Sequence, residues 1–171
     1  MARSKIVAPT STLKKVIVEF LDRTSRRGYL NPAILGSAEA IDLLTTDGEH
    51  RPIDLEAVKS VHFVREFVDT VILERKTFLS RPKLDGLWVR LRFRDDDVME
   101  GIVANELLDL LDKGVQLTPP DLHGNSLRLF IPRTALEEMK VLGVVGISRR
   151  NPRPASGVRA ADAAQPKLFS E

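Results

Sequence analysis

The chain has 171 residues, 43% of them hydrophobic, and 26 basic residues against 24 acidic ones leave a net charge of +2. That is apolar material for one ordinary domain or two small ones, and a global charge too balanced to mark a nucleic-acid or membrane-surface protein by itself. The absence of cysteine excludes disulfides, thiolate metal sites and cysteine nucleophiles. No apolar run reaches the roughly 20 residues needed to span a bilayer.

The opening MARSKIVAPTST lacks the apolar stretch of a signal peptide, so a bacterial-type cytoplasm is the expected compartment. From there, Val16, Val18 and Phe20 alternate with less apolar neighbours and Asp22 closes the run, a strand leading into a turn. Further strands are predicted near 27–31, 40–45, 51–54 and 60–65, with one helical turn at 55–59 before the last. A connector over 67–86 carries Val71-Ile72-Leu73 and Phe78-Leu79, too apolar for a free linker, so it is expected to pack on its neighbours. Strands then follow near 87–94, 99–104, 114–118, 127–132 and 139–143, with a second helical turn at 133–138. The stretch from 148 to 171 is rich in Ala, Pro, Ser and Arg without periodicity and reads as a disordered tail.

These elements repeat. At an offset of 73 residues Val16, Val18, Phe20, Asp22, Gly28 and Leu30 fall on Val89, Leu91, Phe93, Asp95, Gly101 and Val103. Farther on the offset is 78, and Ala57, Val58, Val61 and Phe63 fall on Ala135, Leu136, Met139 and Val141. The difference places a five-residue insertion of the second copy in or near Thr118–Ser126, a stretch rich in turn residues. The glycine beyond each turn aspartate is where the second strand bends or another backbone comes close. The expected fold is mainly β: two tandem five-stranded small barrels packed together, the first over 13–66 and the second over 87–147.

Several stretches carry a family resemblance: His62–Phe67, Glu74–Arg94, Leu117–Asp121 and Ile131–Ala135. On these the chain resembles an uncharacterised bacterial domain-of-unknown-function family of acidobacterial type, which implies membership without implying an activity. Its topology is similar to Sm-like and SH3-like barrels, but the acidic-hydrophobic-Asn signature of RNA-binding Sm proteins is absent. PilZ-type barrels, which bind cyclic dinucleotides, are similar in placing an arginine-rich segment before the first strand. The Asp/Asn-x-Ser-x-x-Gly that should follow is missing here.

The residues offer little catalytic chemistry. His50, His62 and His123 are scattered without ligand spacing, and Asp95-Asp96-Asp97 reads as a solvated turn rather than a cation site. There is no phosphate loop, and no serine has a base beside it in the sequence. The expectation is therefore a non-catalytic interaction or regulatory module with no cofactor and no metal, its partner a protein.

The alternative is nucleic-acid or nucleotide binding. Between Arg65 and Arg94 eight basic residues face four acidic ones, and Arg90, Arg92 and Arg94 alternate on one strand. Alternation puts them on one face, and Arg75, Lys76, Arg81 and Lys83 could extend a phosphate-binding stripe. In the tail, Gln165-Pro-Lys-Leu168-Phe169 resembles the short peptide by which bacterial proteins dock on the replication sliding clamp.

Overall fold

The computed structural model describes residues 12–68, 74–106, 108 and 113–146. Among them the chain is mainly β. The first half holds β1 (Lys14–Phe20), β2 (Ser25–Leu30), β3 (Ala40–Thr45), β4 (His50–Asp54), a 3₁₀ turn (Leu55–Ala57) and β5 (Val58–Val64). The second holds β6 (Gly86–Phe93), β7 (Val98–Val103), β8 (Gly114–Leu117), β9 (Ser126–Pro132), a 3₁₀ turn (Arg133–Ala135) and β10 (Leu136–Val145). Alternation located all of these strands to within a few residues; β10 is longer than expected at both ends. No helix among the described residues is long and apolar enough to cross a membrane.

The strands form a seven-stranded sheet in the order β4-β3-β2-β1-β5-β9-β8 and a three-stranded sheet in the order β10-β6-β7. A bridge between Ile102 and Thr118 links β7 to β8, with reciprocal N–H···O bonds of 3.0 and 2.8 Å. This corrects the expectation of two closed barrels: no closed barrel is found among the described residues. The reason lies in β5. Its partner on one side is β1, and on the other it pairs with β9 from the second half, Val61 opposite Phe130 and His62 opposite Leu129. A unit of some fifty residues buries little core alone, and this pairing covers an open sheet edge while adding apolar contact. All seven residues of β5 are buried as a result.

Two cores lie along this arrangement. One gathers Val16, Val18, Leu30, Ile41, Leu43, Val58 and Val61, and includes Phe130 from β9. The other gathers Val89, Leu91, Phe93, Leu117, Leu129 and Ile131, with Leu21 of the first half packed against it.

The two turns marked by aspartates share one geometry. Phe20 and Phe93 each donate to the carbonyl four residues on, and Arg23 (φ 69°) and Asp96 (φ 63°) both adopt the left-handed conformation. Asp22 and Asp95 each accept the amide two residues on, from Thr24 at 2.9 Å and Asp97 at 3.3 Å. The glycines also act alike. A methyl group on Gly28 would overlap the Leu44 carbonyl and Leu43, and one on Gly101 would overlap the Leu117 side chain. Close approach is thus the use of both.

Candidate interaction surface

The arginine strand is β6, where Trp88, Arg90 and Arg92 face away from the core that buries Leu87, Val89 and Leu91. Its cations are engaged. Arg90 grips the buried Glu100 with two bonds of 3.1 and 2.7 Å. Glu100 also accepts from the Trp88 indole and the Phe78 amide. Burial works against its charge, but Arg90, the Phe78 amide and Trp88 hold its carboxyl below the usual range. Arg92 lies 3.3 Å from Glu137 and 3.8 Å from Glu138.

The connector residues are spread rather than gathered on that face. Lys76 pairs with Asp97 at 2.6 Å, and Arg81 donates to the Val144 carbonyl at 2.9 Å. Arg75 borders a small cavity between the halves, and Lys83 is exposed. Arg94 lies past the end of β6, in a wide hollow of about 1050 Å³ shared with Lys113, Arg133, Glu39, Asp54 and Glu56. The expected stripe is therefore divided, and much of it is paired with carboxylates. Gln165, Leu168 and Phe169, with the rest of the tail, lie outside the described residues, as do Val71-Ile72-Leu73 of the connector.

Between the halves runs a buried polar seam. Lys59 on β5 reaches Asp95 at 2.7 Å and Asp97 at 2.9 Å in the β6–β7 turn, with its ammonium over the Phe93 ring. Burial opposes the charges of Asp95 and Asp97, but Lys59, and for Asp97 also Lys76, holds both carboxyls low. Burial would likewise lower Lys59, and the two aspartates outweigh it, raising its pKa. Beside it His62 bonds Ser60 at 2.9 Å through Nε2 and Ser126 at 3.0 Å through Nδ1, with Glu19 3.5 Å away. Burial opposes the Glu19 charge too, and His62, Lys59 and Ser60 together hold it low.

A serine, an imidazole and a carboxylate in contact are the groups of nucleophilic catalysis. Here Ser60 and Ser126 are 1% and 2% exposed, and the adjacent cavity is about 50 Å³, room for a water or two rather than a substrate. The group reads as a satisfied hydrogen-bond network tying β1, β5 and β9 together. Ser60 and His62, two apart on one strand, were legible from the sequence as neighbours on one face; Glu19 and Ser126, on two other strands and 107 positions apart, were not.

The strongest unpaired feature is β10. Among the described residues it pairs only with β6. Met139, Val141 and Val144 stand opposite Leu91, Val89 and Leu87, so they continue the core-facing side of the sheet. Yet they are 37%, 55% and 63% exposed. A groove of about 230 Å³ bordered by Val115, Leu136 and Met139 runs beside them.

Residues 12–143 match the model of a family of unknown function, DUF6982. The chain belongs to that family. No curated protein and no solved structure matches it. The DUF6982 span takes in both halves, the polar seam and β10 through Gly143. Of the residues singled out from sequence, the structure brings Arg90 and Arg92 onto one face and leaves Arg75, Arg81 and Arg94 elsewhere. Met139 and Val141 fall in the strand expected near 139–143, but nothing local distinguishes a covered strand from an open one.

Proposed function

We propose that this DUF6982 chain is a non-catalytic protein-interaction module, built by tandem duplication of one small β unit of Sm-like or SH3-like topology and acting in a bacterial cytoplasm. The duplication is supported by the twin turns, the twin glycines and the strand order. With the β7–β8 bridge included, β9-β8-β7-β6-β10 runs in the same sense as β4-β3-β2-β1-β5. The observation that carries the function is the contrast between counterparts. β5 is buried throughout because β9 covers its second edge, whereas β10 leaves Met139, Val141 and Val144 open. An apolar strand edge is a template for pairing with another chain.

The test uses Val141→Lys, which places a charge at a 55% exposed position that belongs to neither buried core. Tagged wild type is expected to retain a stoichiometric protein complex that Val141→Lys loses while its circular dichroism is unchanged. Identical complexes from both proteins would overturn the reading. The alternative, phosphate binding through Arg90 and Arg92, has less support because carboxylates already satisfy both. It predicts RNA or DNA complexes that weaken steeply with salt, and a mobility shift at two ionic strengths measures that directly.

A further inference from the structure

We infer that the partner of the β10 edge is a second copy of this chain, joined by antiparallel β10–β10 pairing about a two-fold axis at Met139. The inference rests on the docking role proposed for β10 and names its occupant.

Of the four strands that end the two sheets, β7 and β8 meet at the Ile102–Thr118 bridge, while β4 and β10 have no second neighbour among the described residues, and these two edges are not equivalent. In the β3–β4 ladder Leu55 donates to Glu39 and Thr45 donates to Glu49. Alternation between those points turns the Pro52 nitrogen away from β3, toward the open side. That edge lacks a donor where a further strand would need one, and it displays His50 and Arg51. Proline and charge are the usual means of blunting an edge. β9, at the corresponding place in the second half, has Leu129 and Phe130 instead, and it is paired.

Repeating the β5–β9 contact head to tail, with β4 of one copy against β10 of the next, would set Arg51 opposite Lys140 and Pro52 opposite Met139. Like charges directly opposed and a missing donor both disfavour it. Such a contact would also propagate as a ring or fibre.

β10 carries no proline, and the charges at its middle, Glu138 and Lys140, are of opposite sign. Its two bulges fall at 137–138 and 142–143, leaving Met139–Val141 in regular register with β6. Pairing β10 with its own copy about Met139 sets Glu138 of each chain opposite Lys140 of the other, two complementary cross-strand pairs. The two-fold axis is perpendicular to the sheet, so both core-facing sides lie on the same side of a six-stranded sheet. Met139 and Val141 of the two copies then extend the two cores into one. Charges meet on the polar face and apolar groups on the other. The contact is isologous and closes at two copies.

Because the chain has no cysteine, Met139→Cys provides a single thiol for a short bis-maleimide. Wild type is expected to sediment as a dimer at micromolar concentration, and Met139→Cys to cross-link to itself. Glu138→Lys should weaken the dimer about tenfold by opposing like charges. Because Glu138 and Lys140 also pair within one chain at 3.0 Å, the rescue is read by mixing Glu138→Lys chains with Lys140→Glu chains, which should form a mixed dimer more readily than either forms its own. This rescue distinguishes pairing from a folding defect.

Cross-links between Met139→Cys and Pro52→Cys chains, with a ladder of larger species, would overturn the inference in favour of head-to-tail assembly. A monomer whose Met139 and Val141 amides resist hydrogen exchange would overturn it by showing a segment of the same chain on the edge. A monomer that still loses a different protein on Val141→Lys would overturn self-pairing while leaving the docking role intact.

Discussion

Single residues carry much of what makes the turns and crossings possible. Arg23 holds a positive φ of 69°, a conformation that costs a side-chain-bearing residue roughly 1 kcal/mol or more and glycine very little. Arg23→Gly is therefore expected to raise stability by up to about 1 kcal/mol, seen as a higher denaturation midpoint with unchanged m-value. Gly101 has the opposite requirement. Its added methyl would meet all three outer carbons of Leu117, so Gly101→Ala should cost about 1–3 kcal/mol by overpacking. Gly101→Ala combined with Leu117→Val should recover part of that loss, since the smaller side chain makes room. The need for a small residue at 28 and 101 was legible from their matched spacing. The identity of the neighbour that crowds them was not, because strand three approaches from more than ten residues away.

At the scale of elements, the contact between β5 and the β6–β7 turn is electrostatic as well as apolar. Lys59 is 6% exposed and bound by two aspartates, so Lys59→Met leaves them without their buried partner. A loss of roughly 2 kcal/mol is expected by chemical denaturation. The carboxyls of Glu19, Asp95, Asp97 and Glu100 are all held low in the folded chain. A lowered folded-state pKa means stabilisation fully present above the unfolded value and lost as pH falls through the folded one. Stability should therefore be flat near neutrality and decline below about pH 4, the unfolded carboxylate range. Glu100→Gln should flatten that decline, and thermal melts between neutral and acid pH would record it. The raised pKa of Lys59 works in the other direction, stabilising below its ordinary value and failing only in strong alkali.

Across the whole molecule, the halves share a strand edge, a seam of ion pairs and a connector whose Phe78 packs edge-to-face on Trp88 at 6.2 Å. Expressed alone, residues 1–66 would expose the β9-facing edge of β5 and the apolar face that Phe130 covers. That fragment and residues 67–171 are each expected to be markedly less stable than the intact chain, as hydrogen exchange would measure. Two independently stable halves would contradict the role assigned to the β5–β9 pairing.

The order of strands, the turn aspartates, the crowding glycines and the internal correspondence between halves were all determined by the sequence itself. They depend on alternation and local spacing, which a strand of five or six residues already displays. Which edge pairs with which was decided only by the tertiary structure. β5 and β10 carry alike patterns of apolar residues, and backbone hydrogen-bonding groups are the same along every strand. Only the placement of β9 against β5 made one of them core and left the other an open edge. The same holds for the arginines: alternation put Arg90 and Arg92 on one face, and the fold supplied Glu100, Glu137 and Glu138 to meet them.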